Sequence, residues 1–336
     1  MDSQKLWQHR SKEEDKEAIL SLKLLEGTNI PKEKTLKCIY AVSNHIDEHY
    51  REAFIPKKNG GRRKLLVPDY LLHAMQKNIL RKILSEEKVS KYAKAYCSGK
   101  RIRENALAHV GAETILELDI KDFFENITYI MVYQCVFSGE YYPPAVRTLL
   151  TQLCCYKDYL PQGAPTSPMI SNLVMVSFDE YMGIWCEERG IHYTRYCDDM
   201  TFSGKFDVRE VKQKVRGYLQ VLGFELNLKK TKVLRRYNRQ SVTGIVVNEK
   251  VQVSKAYRRN VRQAVYYCEK YGVQEHLHSS GERMWLEKGA ERYLQHLLGK
   301  VNYILQVNPE DAEFMDIRKK LSGMKRRCKG GKQRRL

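Results

Sequence analysis

Hydrophobic and polar positions follow two different periods along the chain, which predicts separate helical and strand segments. Apolar residues recur at helical intervals over residues 30–50, where Pro31 suits a first helical turn, and again over 71–93. Between them, residues 54–70 carry basic and branched side chains on both sides of Asn-Gly-Gly at 59–61, which is typical of a β-hairpin. We therefore expect an N-terminal helical region followed by one basic hairpin.

The middle of the chain mixes strands with amphipathic helices. The pattern predicts a strand over 114–124, a helix over 174–190, a strand, polar turn and second strand over 191–204, a helix over 208–223, and a strand pair over 224–234 and 241–248. From about residue 255 onward the pattern is helical. The predicted fold class is α+β, with an antiparallel sheet near the middle and helices at both ends.

Charge and cysteine usage narrow the class of protein. The 336 residues carry a formal charge of +19 and a pI of about 9.4, which indicates a polyanionic partner such as nucleic acid. No apolar run approaches the roughly 18 residues that span a bilayer, and the charged N-terminus does not resemble a signal peptide. The nine cysteines are scattered without a C-x-x-C pair, which is typical of reduced thiols. We expect a cytoplasmic protein without a membrane partner.

Carboxylates stand at the ends of two otherwise apolar strands. Asp119 follows the apolar run that begins at residue 114, and Asp198 and Asp199 lie in the polar turn of 191–204. Buried acids are costly unless a cation neutralises them, and Mg²⁺ prefers oxygen ligands together with substrate phosphates. In a basic chain, the three acids predict a nucleotidyl transferase with two Mg²⁺ ions roughly 3.5–4 Å apart. An Asp pair in a hairpin turn is common, so the prediction depends on further motifs.

Six sequence boxes in order resemble those of the bacterial reverse transcriptases of retrons. Four resemble reverse transcriptases in general: Leu-Asp-Ile at 118–120 with Phe-Phe at 123–124, the Pro-rich box 161–168 with Asn172, Tyr-Cys-Asp-Asp at 196–199, and Leu-Asn-Leu-Lys-Lys-Thr at 226–231. Two narrow the resemblance to retrons: Asn-Ala-Leu-Ala-His at 105–109 and Val-Thr-Gly at 242–244. The resemblance covers roughly residues 35–310, and chance hardly produces all six boxes in order.

The resemblance implies a right-hand polymerase, with fingers, palm and helical thumb around a nucleic-acid duplex. The implied domains are an N-terminal helical region at 1–50, fingers at 51–113 with 140–165, a palm at 114–139 and 166–250, and a helical thumb at 251–336 with a basic C-terminal tail. The stretch 318–335 contains ten Lys or Arg and no acid, and it is expected either to bind RNA or to be a disordered extension.

The resemblance also implies roles for palm residues. Asp119 and Asp198 would bind both Mg²⁺ ions, and Asp199 would bind them or support the site. Phe124 would lie under the incoming sugar and exclude a 2′-hydroxyl, whereas we expect Phe123 to pack in the core. The implied primer or template residues are Tyr196, Asn172, Val242, Thr243 and Gly244.

Further residues are expected near the incoming dNTP or the RNA. Gln162 and Gly163 would allow a base pair to approach the backbone, because glycine has no Cβ. The basic hairpin residues Arg62, Arg63 and Lys64 would close over the triphosphate, or form a solvated charge run. Lys229 or Lys230 would assist pyrophosphate, and the sequence does not choose between them. Asn105 and His109 are expected to be scaffold or RNA contacts, and the thumb-helix RNA contacts would be Arg258, Arg259 and Arg262.

The function implied by the resemblance is RNA-directed DNA polymerisation with dNTPs. Such an enzyme would recognise its own structured non-coding RNA and prime from the 2′-hydroxyl of an internal guanosine. The product would be branched, RNA-linked single-stranded DNA (msDNA), and the family implies antiphage defence with a separate effector protein. Two alternatives are a group II intron-type enzyme, whose chains usually continue into a maturation domain, and a non-catalytic RNA-binding protein with a relic palm. The intact acids argue against the second.

Overall fold

The computed structural model describes Trp7 and residues 10–57, 60–97, 99–281 and 283–333. The chain divides into two compact units. The first contains the residues up to Lys100 together with Leu116–Phe202 and Phe206–Lys232, and the second contains Arg101–Ile115, Ser203–Lys205 and the residues from Val233 onward. Residues 101–113 of the predicted fingers and 233–250 of the predicted palm therefore belong to the second unit.

Both units contain α-helices. In chain order they are α1 (Lys12–Ser21), α2 (Thr35–Asn44), α3 (Tyr70–Lys82), α4 (Ile102–Leu107), α5 (Tyr129–Cys135), α6 (Pro144–Cys154), α7 (Ser167–Val174), α8 (Val176–Glu187), α9 (Val208–Val221), α10 (Lys255–Tyr271), α11 (Val273–Ser279), α12 (Arg283–Lys288), α13 (Ala290–Val307) and α14 (Ala312–Gln333). Polar caps define several starts: Asp69 accepts a hydrogen bond from the N–H of Leu72 at α3, and Ser254 accepts one from Tyr257 at α10.

The strands form three sheets. In chain order they are β1 (Tyr50–Pro56), β2 (Arg62–Pro68), β3 (Thr114–Asp119), β4 (His192–Tyr196), β5 (Asp199–Gly204), β6 (Lys232–Arg235), β7 (Ser241–Val242) and β8 (Ile245–Val246). β1 and β2 form an antiparallel hairpin in which Ala53 pairs with Leu65. The central sheet has four strands in the order β4-β5-β3-β6, and β7 pairs antiparallel with β8.

Each unit has its own hydrophobic core. In the first, Phe178 and Met182 of α8 are fully buried in one cluster with Phe202 of β5 and Leu118 of β3. β3 is buried along nearly its whole length, so its apolar residues anchor the strand that ends at Asp119. In the second unit, α10, α13 and α14 contribute to a separate cluster.

The α+β fold class is confirmed, although several predicted elements differ in detail. The hairpin over 54–70, the strand pair over 191–204 and the helix over 208–223 are present. The predicted strand over 224–234 is wrong: Leu226 forms an isolated bridge with Ile120, residues 228–230 form a 3₁₀ turn, and only β6 is extended. The basic stretch from residue 318 is helical as far as Gln333.

In the described part of the chain, no helix is both long and apolar enough to cross a bilayer. The nine cysteines form no disulfide.

Candidate active site

The three predicted acids meet at one end of the four-stranded sheet. β3 ends at Asp119, β5 begins at Asp199, and Asp198 lies in the two-residue turn that joins β4 to β5. β3 and β5 are neighbours in the sheet, so the two acidic segments lie side by side. The N–H of Ile120 donates to the carbonyl of Asp198 at 3.0 Å, which joins the segments at this point. The fold thus brings together acids that are about 80 positions apart in the sequence.

A lysine completes this acidic group. Nζ of Lys230 lies 2.7 Å from Oδ2 of Asp119. The 3₁₀ turn Leu228–Lys230 places it there, and that turn is anchored because the N–H of Asn227 donates to the carbonyl of Asp119 at 2.8 Å. The structure therefore places Lys230 against the acids. Both lysines of the turn are exposed, but among the described residues only Lys230 of the two forms an ion pair.

The acids carry more negative charge than their surroundings neutralise. Burial raises the pKa of Asp119, while the hydrogen bond from Lys230 lowers it. The pKa of Asp199 rises to about 7, first because of burial and then because of the charges of Asp198, Asp119 and Glu117. Burial lowers the pKa of Lys230, but the hydrogen bond to Asp119 and the neighbouring acids outweigh it and raise that pKa. An added cation would stabilise this group.

The donor atoms suit a hard divalent cation. Oδ1 of Asp119 is buried and has no hydrogen-bond partner in the described part of the chain. Carboxylate oxygens are the ligands that Mg²⁺ prefers, and Mg²⁺ commonly keeps waters or substrate phosphates as its remaining ligands. Within the described ranges, no three acidic, His or Cys side chains form a ready-made metal cluster. Asp119 and Asp198 therefore fit an open platform that substrate oxygens would complete.

The turn that carries Asp198 has an unusual backbone. Cys197, the first residue of the turn, has φ of +62°, a region that non-glycine residues rarely adopt. Nη1 of Arg195 donates to the carbonyl of Cys197 at 3.0 Å. Strained residues of this kind persist where the surrounding structure holds them in place, and they cluster at active sites. Arg195 is one group that holds this turn.

Arg195 belongs to a fully buried polar network beneath the turn. Its Nε and Nη2 donate to the two carboxylate oxygens of Asp179 at 2.9 and 2.6 Å, and both side chains are completely buried. The hydroxyl of Tyr193 donates to Oδ1 of Asp179 at 2.8 Å. The charge of Arg195 is thus paired and its donors are used, which burial requires.

Asn172 is part of this network, so its predicted primer or template contact is wrong. The side chain is fully buried; its Oδ1 accepts from Arg195 at 3.2 Å and its Nδ2 donates to the carbonyl of Ala95 at 2.8 Å. The motif spacing placed Asn172 correctly on a helix, α7, but on the face that points into the core. Its role is structural.

A cavity of about 430 Å³ opens beside the acids. This volume lies within the range of small-molecule sites. Its lining includes the sequence-predicted residues Arg63, Phe124, Gln162, Gly163, Tyr196, Asp198 and Asp199. The first unit therefore brings four sequence segments together around this cavity. They are the hairpin, the residues after β3, the Pro-rich segment and the turn at residues 197–198, which we call the catalytic turn.

The two neighbouring phenylalanines have different environments. Phe124 lines the cavity, whereas Phe123 is 3% exposed and packs against Phe224 with ring centroids 5.8 Å apart. The rings of Phe123 and Phe124 meet edge to face. Phe124 can therefore contact a ligand while Phe123 fixes its position from the core.

Gly163 has no side chain, and this allows the backbone of β2 to pack directly against it. Gly163 has φ of +121°, and a Cβ there would lie 2.6 Å from the carbonyl oxygen of Leu66. The N–H of Leu66 donates to the carbonyl of Gln162 at 2.7 Å. The sequence predicted close approach by a base pair; the structure shows that close approach by the β2 backbone already requires glycine here.

The three basic residues of β2 have different surroundings. Arg63 lines the cavity, and Arg62 is exposed at the start of the strand. Nζ of Lys64 lies 2.5 Å from Oε1 of Glu52 on β1, and this hydrogen bond raises the pKa of Lys64. Of the three, only Arg63 lines the cavity, while Lys64 is paired across the hairpin.

The two motifs that narrow the resemblance contact each other in the second unit. Nδ2 of Asn105 donates to Oγ1 of Thr243 at 3.5 Å. Thr243 and Gly244 have φ of +48° and +85° and form the turn between β7 and β8. Val242 is fully buried beside this turn, so its predicted primer or template contact is wrong.

Direct RNA contact by Asn105 and His109 is also wrong. Asn105 is fully buried and His109 is 1% exposed, with its Nδ1 2.7 Å from Oγ of Ser203. The alternative reading as scaffold fits both residues. Thr243 and Gly244 keep some exposure at the turn.

The three arginines of α10 also differ. Arg258 forms ion pairs with Asp311 at 2.8 Å and Glu313 at 3.3 Å, and its side chain is only 12% exposed, so its contact with RNA stays a prediction. Arg262 is half exposed and pairs with Glu313 at 2.9 Å. Arg259 is exposed and forms no ion pair within the described residues. Arg259 thus remains the most accessible cation of the three.

Sequence reasoning missed three residues near the site: Tyr96, Asp179 and Arg195. A charged residue in a strand of the central sheet was an available signal for Arg195, because a buried charge needs a partner. Asp179 within the apolar helix α8 was the matching signal. Tyr96 lines the cavity although it belongs to none of the six boxes, so no motif pointed to it.

The sheet, its acids and the adjoining cavity define the palm of a nucleic-acid polymerase. The family described as reverse transcriptase (RNA-dependent DNA polymerase) matches residues 55–262. Retron Mx65 reverse transcriptase of Myxococcus xanthus is 33% identical over 295 residues, which cover 82% of this chain and 65% of that protein. Retron Ec86 reverse transcriptase of Escherichia coli is 33% identical over 247 residues, which cover 71% of this chain and 75% of that protein. The chain therefore belongs to the reverse transcriptase family, among the retron reverse transcriptases of bacteria.

Solved structures give a more distant likeness. Apo telomerase from Candida tropicalis matches with a TM-score of 0.46 and 11% sequence identity, covering 83% of this chain and 62% of that one.

Proposed function

We propose that this protein is an RNA-directed DNA polymerase that adds dNTPs at the site formed by Asp119, Asp198 and Asp199. The observation that carries the proposal is the convergence of these acids beside a cavity of about 430 Å³ lined by Arg63 and Phe124. The matched family and the retron relatives support the same reaction. The intact acids and the cavity favour it over a relic palm that only binds RNA.

Asp119 and Asp198 would hold two Mg²⁺ ions, and Asp199 would support them by its negative charge. When bound, the ions would activate the attacking hydroxyl and stabilise the leaving pyrophosphate. The protein's own groups would do the rest. Lys230, beside Asp119, would place positive charge near the phosphates, and Arg63 would bind the triphosphate from the hairpin.

Phe124 would select deoxyribonucleotides by excluding the 2′-hydroxyl. We expect Phe124→Val to increase the ratio of rNTP to dNTP incorporation about tenfold or more, because removal of the ring opens space in the cavity. Single-nucleotide incorporation kinetics with matched dNTP and rNTP would measure this ratio. Phe123→Val is the matched control, since Phe123 lies in the core: it should lower stability and leave the ratio unchanged. An unchanged ratio in Phe124→Val would remove Phe124 from this role.

The proposed reaction begins on the protein's own structured non-coding RNA. We propose priming from the 2′-hydroxyl of an internal guanosine, giving branched msDNA, and a place in antiphage defence with a separate effector protein. Membership among the retron reverse transcriptases supports these proposals. The first unit would carry fingers and palm, and the second the thumb.

Co-expression with the RNA encoded beside the gene tests the priming proposal. The purified nucleic acid should contain single-stranded DNA joined to RNA by a 2′–5′ linkage, so a debranching enzyme should change its electrophoretic mobility after RNase treatment. Asp198→Asn should give no such DNA. DNA that is insensitive to the debranching enzyme would contradict 2′-hydroxyl priming and favour the group II intron-type alternative.

RNA binding by the α10 surface would depend on Arg259 rather than on Arg258. We expect Arg259→Gln to weaken RNA binding and to reduce the slope of log affinity against log salt by about one, because one phosphate contact is lost. Binding of the cognate RNA and an unrelated hairpin at several salt concentrations would measure both effects. Arg258→Gln is the control: it leaves Asp311 without its partner and should lower stability instead. An unchanged salt slope in Arg259→Gln would exclude this contact.

A further inference from the structure

Tyr96 is a cavity residue that belongs to none of the recognised motifs. It lies between α3 and α4 and lines the same cavity as Tyr196, Cys197 and Phe124. Tyr96 is 51% exposed. An exposed aromatic ring at the wall of a substrate cavity is available to a ligand.

The backbone of Tyr96 adopts an unfavourable conformation. Its φ is +58°, a region in which a bulky side chain is a genuine outlier and glycine or asparagine is favoured. A tyrosine at this position therefore costs folding free energy. Folding alone gives no reason for the ring, because a smaller residue would fit the backbone better.

Contacts of the residues directly before Tyr96 hold this segment in place. The N–H of Arg195 donates to the carbonyl of Tyr92 at 2.9 Å, and the N–H of Lys94 donates to the carbonyl of Arg195 at 2.8 Å. Ala93 and Arg195 thereby form a parallel bridge that attaches the segment to β4. The carbonyl of Ala95 accepts from the buried Asn172 at 2.8 Å. The strand that leads into the catalytic turn and the segment before Tyr96 are thus fixed together.

The ring itself is tied to the catalytic turn. The hydroxyl of Tyr96 lies 3.6 Å from Sγ of Cys197, the residue directly before Asp198. This contact directs the ring along the cavity wall, on the side formed by the turn. The other aromatic residues of the wall are Phe124 and Tyr196. Flat aromatic rings stack on bases irrespective of sequence, and each such contact contributes to binding.

We propose that Tyr96 is a specificity-determining residue that packs against the nascent base pair formed by the templating base and the incoming nucleotide. The inference rests on the proposed polymerase function. The ring would limit the space that is open to a mispaired base. Because the Tyr96 hydroxyl contacts Cys197, a mispaired base that displaces the ring would also displace the neighbouring Asp198. The cost of the Tyr96 backbone conformation is thus explained by binding, not by folding.

Glycine at position 96 separates the folding role from the binding role. Because glycine accepts the positive φ, Tyr96→Gly should unfold at the same or a higher temperature than the parent protein. It should nevertheless raise the KM for dNTPs about tenfold and increase misincorporation on an RNA template by a similar factor. Tyr96→Phe keeps the ring and should retain a KM within about twofold of the parent. Tyr141→Gly, which removes an exposed tyrosine outside this cavity, is the matched control and should leave the KM unchanged.

The outcomes distinguish this inference from the function on which it rests. If the parent protein incorporates no dNTP, the polymerase proposal fails. If the parent is active and folded Tyr96→Gly has parental KM and misincorporation, the inference about Tyr96 is overturned. Should Tyr96→Gly not fold, Tyr96→Asn provides the same measurement, because asparagine also tolerates positive φ. Parental kinetics in that variant would likewise overturn the inference.

Discussion

Asp198→Asn and Asp119→Asn are each expected to lower the rate of nucleotide incorporation about a thousandfold or more. Each replacement removes a negative charge from the acidic group that would hold the metal ions, and the loss of several kcal/mol of transition-state stabilisation corresponds to that factor. RNA binding should change little, because the basic surface of the chain is unaltered. Pre-steady-state incorporation and RNA-binding titrations would measure the two effects separately.

A neighbouring acid provides the control for this prediction. Glu117 lies on β3 two positions before Asp119, but its Oε2 pairs with Lys232 at 3.1 Å and it does not line the cavity. Glu117→Gln should therefore keep the rate within a few-fold of the parent, since the pair lies outside the cavity and its lysine is exposed. An Asp198→Asn variant that extends at near the parental rate would contradict the assignment of the acidic site.

Breaking the buried Arg195–Asp179 pair is expected to cause the largest loss of stability. Both side chains are completely buried, so Arg195→Gln or Asp179→Asn leaves a charge without a partner. Removing one member of a buried pair costs about 3–5 kcal/mol. Denaturant unfolding of the single variants would measure this loss. The exposed pair Arg189–Glu210, with 3.7 Å between Nε and Oε1, is the control: Arg189→Gln should cost less than about 1 kcal/mol.

A double variant separates stability from positioning. Arg195→Met combined with Asp179→Leu removes both charges and should recover much of the lost stability, as apolar replacement of buried pairs often does. It cannot restore the hydrogen bond from Arg195 to the carbonyl of Cys197, so nucleotide incorporation should remain slow. A stable double variant with the parental rate would show that Arg195 does not position the catalytic turn. Single variants within about 1 kcal/mol of the parent would contradict the stability prediction.

Local sequence predicted the central elements of the site well. The apolar run before Asp119 and the strand, turn and strand over 191–204 are short-range patterns, and the structure has β3, β4 and β5 at those places. The sequence also indicated that β3 and β5 lie side by side. Acids at the ends of two strands can be neutralised by the same metal ions only if those strand ends are close together. The prediction over 224–234 failed because tertiary contacts to Asp119 and Ile120 replace regular strand pairing there.

Side-chain partners that are distant in sequence could not be predicted. Arg258 is largely covered because it pairs with Asp311, which directly precedes α14 in the second unit. Asn172 occupies a motif position, yet only the fold shows that it faces Arg195. The positive φ of Tyr96 has no sequence signature at all. Motif spacing identifies which residues share a segment, but not which way each of them points.

Template-directed incorporation of one nucleotide tests the central claim most directly. The parent protein would be mixed with Mg²⁺, each dNTP in turn, and a primed RNA template carrying each of the four bases at the first unpaired position. The account predicts that only the complementary dNTP is added, that addition requires Mg²⁺, and that Asp198→Asn binds the same RNA without extending it. A parent protein that binds the primed RNA and adds no dNTP would contradict the account and identify the chain as an RNA-binding protein with an inactive palm.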